Sequence, residues 1–340
     1  MVTPKYPHNY FGPPFEHRGP AMKTLSPQKV RKKPWSLFVR GMAMGAADVV
    51  PGVSGGTIAF ITGIYEELLN SIRAFNPTNL RLLWAKQFRE AWKRINGGFL
   101  FSLFLGILTS FVTLAKGIEY ALENHPIRLW AFFFGLVVAS AFVVLRKVKV
   151  WSAPAFISLG VGTATAFGIT VLAPATTPDT YWFLFLAGMI AICAMILPGV
   201  SGSFLLVLMG KYQSLLSAVN ERNVVVLIVF AAGCGVGLIS FSHLISYLLR
   251  RFHSVAIALL SGFLIGSLNK IWPWKKTLET QLDRHGELIP VREMNLLPLQ
   301  YANLTDSNPY LASAIGFMFI GATLVLTLEL GFGSRRQEER

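Results

Sequence analysis

Charge is what this chain of 340 residues has little of: Asp, Glu, Lys and Arg make up 14% of it, where soluble domains carry roughly 25%. No charged side chain occurs from Val150 to Pro178, from Tyr181 to Gly210, from Asn223 to Leu249, or from Ser307 to Leu328. Such runs exclude an ordinary soluble fold and suit membrane crossings of about 20 residues each. Cysteine is also scarce. Cys193 and Cys234 both lie inside apolar runs, which leaves no disulfide framework and no cysteine-rich metal or redox centre. His243 and His253 are isolated, whereas phosphoryl chemistry needs a His nucleophile or clustered metal carboxylates. No cofactor and no metal are expected, and the chain does not read as an enzyme.

In abundance are hydrophobic residues, at 53%, and basic ones, 31 Lys and Arg against 17 Asp and Glu, for a net charge of +14. On a soluble fold that excess would suggest nucleic acid. Here the basic residues sit in short clusters between apolar runs, as happens when Lys and Arg are retained on the cytoplasmic side of a bilayer. No nucleic-acid partner is expected. Residues 1–34 are rich in Pro, Gly and Lys without apolar periodicity, so they read as a disordered basic tail, with Met22 as an alternative start.

Self-comparison finds a duplication. Pro51-Gly52-Val53-Ser54-Gly55 recurs as Pro198-Gly199-Val200-Ser201-Gly202, and Gly63-x-Tyr65-x-x-Leu68-Leu69 recurs as Gly210-x-Tyr212-x-x-Leu215-Leu216, all at an offset of 147. Gly106, Ile118, Tyr120, Gly135 and Ser140 match Gly233, Ile245, Tyr247, Gly262 and Ser267 at an offset of 127, which places an insertion in the basic stretch Asn76 to Arg94. Residues 35–175 and 176–331 therefore form two repeats, followed by a short tail at 332–340. Each repeat holds one PGVSG unit and three spans: about Gly98–Lys116, Leu129–Leu145 and Ala153–Ala173, then Val224–Leu249, Val255–Leu268 and Tyr310–Leu330. Helix is the expected state, because within lipid only helices or closed barrels satisfy their own backbone.

The basic clusters orient the spans. The tail before Trp35 and the stretch from Arg73 to Arg94 are both basic, so the segment Ser36 to Ile72 should enter and leave on the cytoplasmic side as a re-entrant hairpin turning at PGVSG. Three further crossings then put Arg146, Lys147 and Lys149 inside. Three is odd, so the second hairpin dips in from outside, Arg250 and Arg251 fall inside, the mixed-charge loop Trp272 to Asn308 falls outside, and both termini are cytoplasmic. The expectation is an all-α polytopic membrane protein built as an inverted repeat, each half one re-entrant helical hairpin plus three transmembrane helices. The competing count, with each PGVSG unit a full crossing, gives eight spans and puts the Arg73 to Arg94 cluster outside.

Two hairpins entering from opposite faces bring two broken-helix tips toward the midplane, where irregular backbone is tolerated only if buried or lining a cavity. In each tip a run, Ser54-Gly55-Gly56-Thr57 or Ser201-Gly202-Ser203, leads into a helix whose free N–H groups and positive dipole end suit an anion. The plainer reading stays open: Pro51, Gly52, Pro198 and Gly199 make the turns, and Ser54 and Ser201 cap the helices. Arg40, Asp48, Glu66, Glu67 and Lys211 lie in or beside the hairpins, where an ionisable group costs about 2.5–3.5 kcal/mol even on lenient scales. Arg40 and Lys211 are candidates to neutralise a bound anion, and Asp48, Glu66 and Glu67 to carry a coupling proton. Near the interface such residues also snorkel or pair. These charges are not duplicated: Met195 stands opposite Asp48, Gln213 opposite Glu66, and Ile64 opposite Lys211. Removing an ion from water costs several kcal/mol, whereas a helix terminus returns at most about 2. A fixed cation is therefore needed, and the guanidinium of Arg40 matches phosphate best.

The doubled PGVSG, the GxYxxLL continuation and the Gly-rich approach Arg40-Gly41-Met42-Ala43-Met44-Gly45-Ala46-Ala47-Asp48 resemble the bacterial polyprenyl-phosphate transporter family, long filed as a domain of unknown function. The resemblance covers about Trp35 to Gly331 and departs from a perfect double motif at Ser203, where the first half has Gly56. It implies a protein of the bacterial inner membrane that returns undecaprenyl phosphate, the carrier lipid of cell-wall synthesis, from the outer to the cytoplasmic leaflet. Inward movement of an anion opposes an inside-negative potential by about 2.3 kcal/mol per charge per 100 mV, so proton coupling is expected. The alternative is a small-anion channel or exchanger using the same tips, which needs a sealed pore instead of an opening to the bilayer. The sequence leaves homo-oligomerisation open.

Overall fold

A computed structural model describes residues 33–50, 53–172, 174–175, 177–282 and 288–333. The N-terminal tail up to 32, the C-terminal residues from 334 and the turn residues Pro51 and Gly52 lie outside the described residues.

The first half opens with α1 (Pro34–Val49), α2 (Gly55–Ile61) and α3 (Tyr65–Arg73). Next come α4 (Pro77–Trp84) and α5 (Phe88–Arg94), which occupy the expected insertion, and then α6 (Gly97–Thr113), α7 (Ala115–Asn124), α8 (Pro126–Leu145) and α9 (Ala153–Val171). The second half repeats the order with α10 (Tyr181–Ile196), α11 (Gly202–Leu208), α12 (Tyr212–Asn220), α13 (Val224–Arg251) and α14 (His253–Ser267). A two-stranded antiparallel sheet, β1 (Lys275–Leu282) and β2 (Leu288–Asn295), then precedes α15 (Pro298–Thr305) and α16 (Leu311–Gly333). Among the described residues, α8, α9, α13 and α16 are each long and apolar enough to cross a membrane. Two sharply bent pairs, α5 with α6 at 71° and α11 with α12 at 104°, raise the count to as many as six. The mostly helical, multi-span architecture matches expectation; the sheet does not. It lies outside the spans, where strand edges can meet water instead of lipid.

Glycines set the closest helix contacts. A Cβ on Gly41 would overlap the carbonyl of Leu103, and one on Gly106 that of Phe38, so α1 and α6 touch backbone to backbone. Their repeat partners do the same: Gly188 against Phe230 and Gly233 against Phe185 join α10 to α13. Gly135 and Gly321 join α8 to α16, while Gly262 and Gly162 join α14 to α9. Small residues permit such approach, and dispersion and packing replace the hydrophobic drive absent in lipid. Along α1 and α6, Gly41 faces Leu103 to Gly106 and Gly45 faces Ile107 to Ser110, so the two helices run parallel.

The α3 residue Glu67 accepts a hydrogen bond from Nδ2 of Asn96, immediately before α6, at 3.1 Å. In the second half Ala175 N donates to Leu208 O at 2.8 Å, which brings the end of α11 back beside the segment leading into α10. The main core lies between the first tip, α8 and α14, around Val50, Val53, Ile58, Leu136, Val143, Leu260 and Leu264.

Candidate functional site

The two tips meet. Ser54, the N-cap of α2, accepts from Gly56 N at 3.1 Å and donates from Oγ to the carbonyl of Met195 at 3.1 Å. Gly199 N donates to Thr57 Oγ1 at 3.1 Å. A Cβ on Gly56 would lie 2.7 Å from Ile196 O, so this position has room only for glycine. Gly199 turns the chain with φ of +83°, a left-handed geometry that glycine adopts without strain. The first tip is thus keyed into the turn of the second.

Their surroundings differ. Gly55 N donates to Asp48 Oδ1 at 2.6 Å, so the first N–H of α2 already holds a carboxylate supplied by α1. Thr57 N donates to Ser54 O at 2.9 Å. At the second tip Met195 replaces the acid, Ser201 Oγ lies 3.0 Å from Ser203 Oγ, and Ser201 accepts from Phe204 N at 3.4 Å. Ser54 and Ser201 cap their helices, and at the first tip the Asp48 carboxylate takes the Gly55 N–H.

The other singled-out charges are spread along the hairpins. Arg40 is buried on α1 and feels the charge of Glu67. Glu66 is exposed on α3. Lys211 is 2% exposed, but its ammonium pairs with Asp179, donates to Thr177 O at 3.0 Å and sits over the Phe183 ring. It lies beyond α11, about 10 Å of helix from Ser201, and its partner Asp179 was not anticipated. A cavity of about 290 Å³ there is lined by Lys211, Ser214, Ser217, Tyr181, Asp179 and Glu221.

Sequence reading also missed a cluster formed by the loop after α14. Lys270 Nζ donates to Glu293 Oε2 at 2.8 Å, and Lys275 Nζ reaches the same oxygen at 3.4 Å. Lys270 lies 4.6 Å from the centre of the Phe204 ring, and Lys275 lies 4.0 Å from that of Trp130. Burial, with Lys270 beside it, lowers the Lys275 pKa to about 8 although Glu293 opposes the shift. The lysines hold the Glu293 carboxyl below its usual range despite burial. The sequence cue was slight: Gly286, a turn-type residue, stands between Lys275 to Leu282 and Leu288 to Asn295, but neither stretch alternates apolar with polar residues.

Residues 44–289 match the family model described as VCA0040-like, undecaprenyl phosphate translocase-like. The chain belongs to this family. Similar proteins of known role are a polyprenyl-phosphate transporter of Vibrio cholerae, 47% identical over 294 residues that cover 86% of this chain and 96% of the relative. Another polyprenyl-phosphate transporter, from Staphylococcus aureus, is 32% identical over 257 residues, covering 70% of this chain and 86% of that protein. These relatives are transporters, not enzymes, and the family membership agrees with the resemblance seen in the doubled motif. No solved structure matches the chain.

Proposed function

We propose that this protein carries polyprenyl phosphate from the outer to the cytoplasmic leaflet of the bacterial inner membrane, by proton-coupled alternating access between two re-entrant hairpins. The observation that carries the substrate is the match over 96% and 86% of the lengths of two polyprenyl-phosphate transporters. An inverted arrangement is supported by the parallel course of α9 and α14, in which Gly162 faces Leu259 and Gly266 faces Thr163 to Phe167. With α8 and α13 each turning back before those helices, the two hairpins start from opposite ends. The basic clusters then favour the end that carries Arg73, Lys147 and Arg250 as cytoplasmic, together with both termini.

In this reading Arg40 supplies the fixed cation for the phosphate, and the Ser54 to Thr57 and Ser201 to Ser203 tips form the gate between leaflets. Asp48 is preferred over Glu66 and Glu67 as the coupling carboxylate. Its oxygen occupies the Gly55 N–H, so it competes with a phosphate for the same donor. Protonation weakens that hold and compensates the charge of the moving anion. Glu66 is exposed and Glu67 is engaged by Asn96.

Proteoliposomes loaded with polyprenyl phosphate in both leaflets test the reading. With the protein present, phosphatase added outside should consume lipid beyond the outer-leaflet share, at a rate that responds to an imposed pH gradient. Consumption equal to that in empty vesicles would overturn the proposal. Passage of inorganic phosphate without lipid turnover would favour an anion channel.

A further inference from the structure

We propose that Lys270 and Lys275, held by Glu293 beside the second tip, form the phosphate-recognition site on the outer side of the protein, and that an arriving phosphate monoester exchanges with Glu293 for the Lys270 ammonium. The proposal deepens the polyprenyl-phosphate reading and rests on it.

Three observations support a binding role over a purely structural one. First, the cluster is over-supplied with positive charge. Anchoring the β1–β2 hairpin needs one ion pair, and other groups already fasten it: Trp272 Nε1 donates to Leu296 O and Trp274 Nε1 to Pro309 O, each at 2.8 Å, and Asn295 Nδ2 donates to Asn269 O at 2.8 Å. A second lysine, with 6% of its side chain exposed, leaves a net positive charge where desolvation is costly. Such an expense is expected where an anion completes the balance.

Second, the charge is aimed at the tip. Lys270 lines a narrow crevice with Gly199, Val200, Ser201 and Phe204 of the second tip and with Ala166 and Thr170 of α9. The Lys270 ammonium is a donor of the type that phosphate oxygens take, and Ser201 borders the same crevice, whose wall is otherwise largely apolar; the Thr170 hydroxyl there already donates to Phe167 O. Phe204, two residues beyond Gly202, lies under the Lys270 ammonium and ties the cation to the start of α11. The crevice volume is about 10 Å³, room for about one water, so a headgroup enters only when the tip and α9 separate. Capture is thereby linked to the movement of the hairpin.

Third, the neighbouring surface suits a lipid. On α9, beside the crevice, Phe167 and Val171 are exposed apolar side chains, along which a prenyl chain can lie while its phosphate reaches Lys270. The first half has no counterpart: Val143 stands where the repeat would put Lys270.

The test is binding of farnesyl phosphate to the full-length protein in detergent, followed by tryptophan fluorescence, with farnesol and inorganic phosphate as comparison probes and thermal melting as the check on folding. Lys270→Gln should weaken binding about tenfold or more, Lys270→Arg should restore most of it, and Lys275→Gln should weaken it less. Glu293→Gln should bind farnesyl phosphate more tightly than the wild type while melting lower, because it frees both ammonium groups and loosens the hairpin. A merely structural cluster would lower melting and binding together. Unchanged affinity in both lysine variants, or Glu293→Gln as weak as Lys270→Gln, would overturn the proposal while leaving the transport reading intact. Wild-type protein that binds farnesol as well as farnesyl phosphate, or inorganic phosphate as tightly as farnesyl phosphate, would overturn the lipid-phosphate reading itself, and the proposal with it.

Discussion

The tip after α1 and the tip after α10 share the five residues PGVSG, yet they sit in opposite electrostatic surroundings. At the first, Asp48 reaches across to Gly55 N, and Arg40 and Glu67 lie further along the same hairpin. At the second, Met195 takes the place of the acid, the cation Lys270 lines the crevice beside the tip, and a serine, Ser203, replaces Gly56. The duplicated residues set a common backbone: a turn, a capping serine and a short helix. The residues outside the motif make the two tips chemically different, and on the reading proposed above the first tip holds the coupling proton while the second meets the arriving phosphate. Loss of symmetry in the side chains, on a symmetric backbone, is what gives a carrier two different faces.

The comparison can be broken by exchanging the acid. Asp48→Asn should slow phosphatase-detected lipid transport on the order of 10- to 100-fold and abolish its response to a pH gradient, since the amide still accepts from Gly55 N but carries no proton. Met195→Asp, which gives the second tip the acid of the first, should weaken farnesyl phosphate binding by satisfying Gly202 from within and repelling the headgroup. Wild-type binding by Met195→Asp would mean that the difference between the tips is incidental.

Smaller effects separate how the tips are packed. A Cβ on Gly55 would lie 2.5 Å from Asp48 Oδ2, a side-chain oxygen that can rotate away, whereas a Cβ on Gly202 would overlap the backbone carbonyl of Ala191. Gly202→Ala should therefore cost about 1–3 kcal/mol in thermal unfolding, and Gly55→Ala less, while Gly55→Ala impairs transport out of proportion to its melting shift. Equal melting of the two would show that α10 yields as easily as the carboxylate does.

The smallest expected effect is a pH dependence confined to the second side. Lys275 carries its proton below about 8 and loses it above, facing Glu293 on β2, Lys270 after α14 and the uncharged Trp130 on α8. The lysine–glutamate cluster thus falls from net positive to neutral as pH rises through that value. Farnesyl phosphate affinity should drop a few-fold between about pH 7 and 9, where the phosphate itself is already doubly charged, and Lys275→Arg should remove the drop.

Much of this was written locally. The predicted span Leu129–Leu145 lies within α8, Ala153–Ala173 corresponds to α9 and Val224–Leu249 to α13, because twenty apolar residues declare themselves without reference to neighbours. The insertion inferred from the change of offset is occupied by α4 and α5. Ser54 and Ser201 cap their helices as their positions suggested. Lys211 was legible as a buried charge, but its partner, Asp179, lies 32 residues earlier in a loop with no pattern to mark it. The β1–β2 hairpin was passed over because its polar, charged residues lack the apolar alternation that marks a strand and look like loop beside long apolar helices.

By itself, then, the sequence determined the apolar spans, the duplicated motif and the capping serines, since hydropathy and the Ser preference for helix starts act within a few residues of chain. Only the tertiary structure decided that Ser54 would bond to Met195, that Thr57 would receive Gly199, and that Lys270 and Lys275 would share Glu293 beside the second tip. Those pairings depend on how distant helices pack and where a loop folds back. A hydrogen bond or ion pair forms across a few ångströms of space, whatever the separation along the chain.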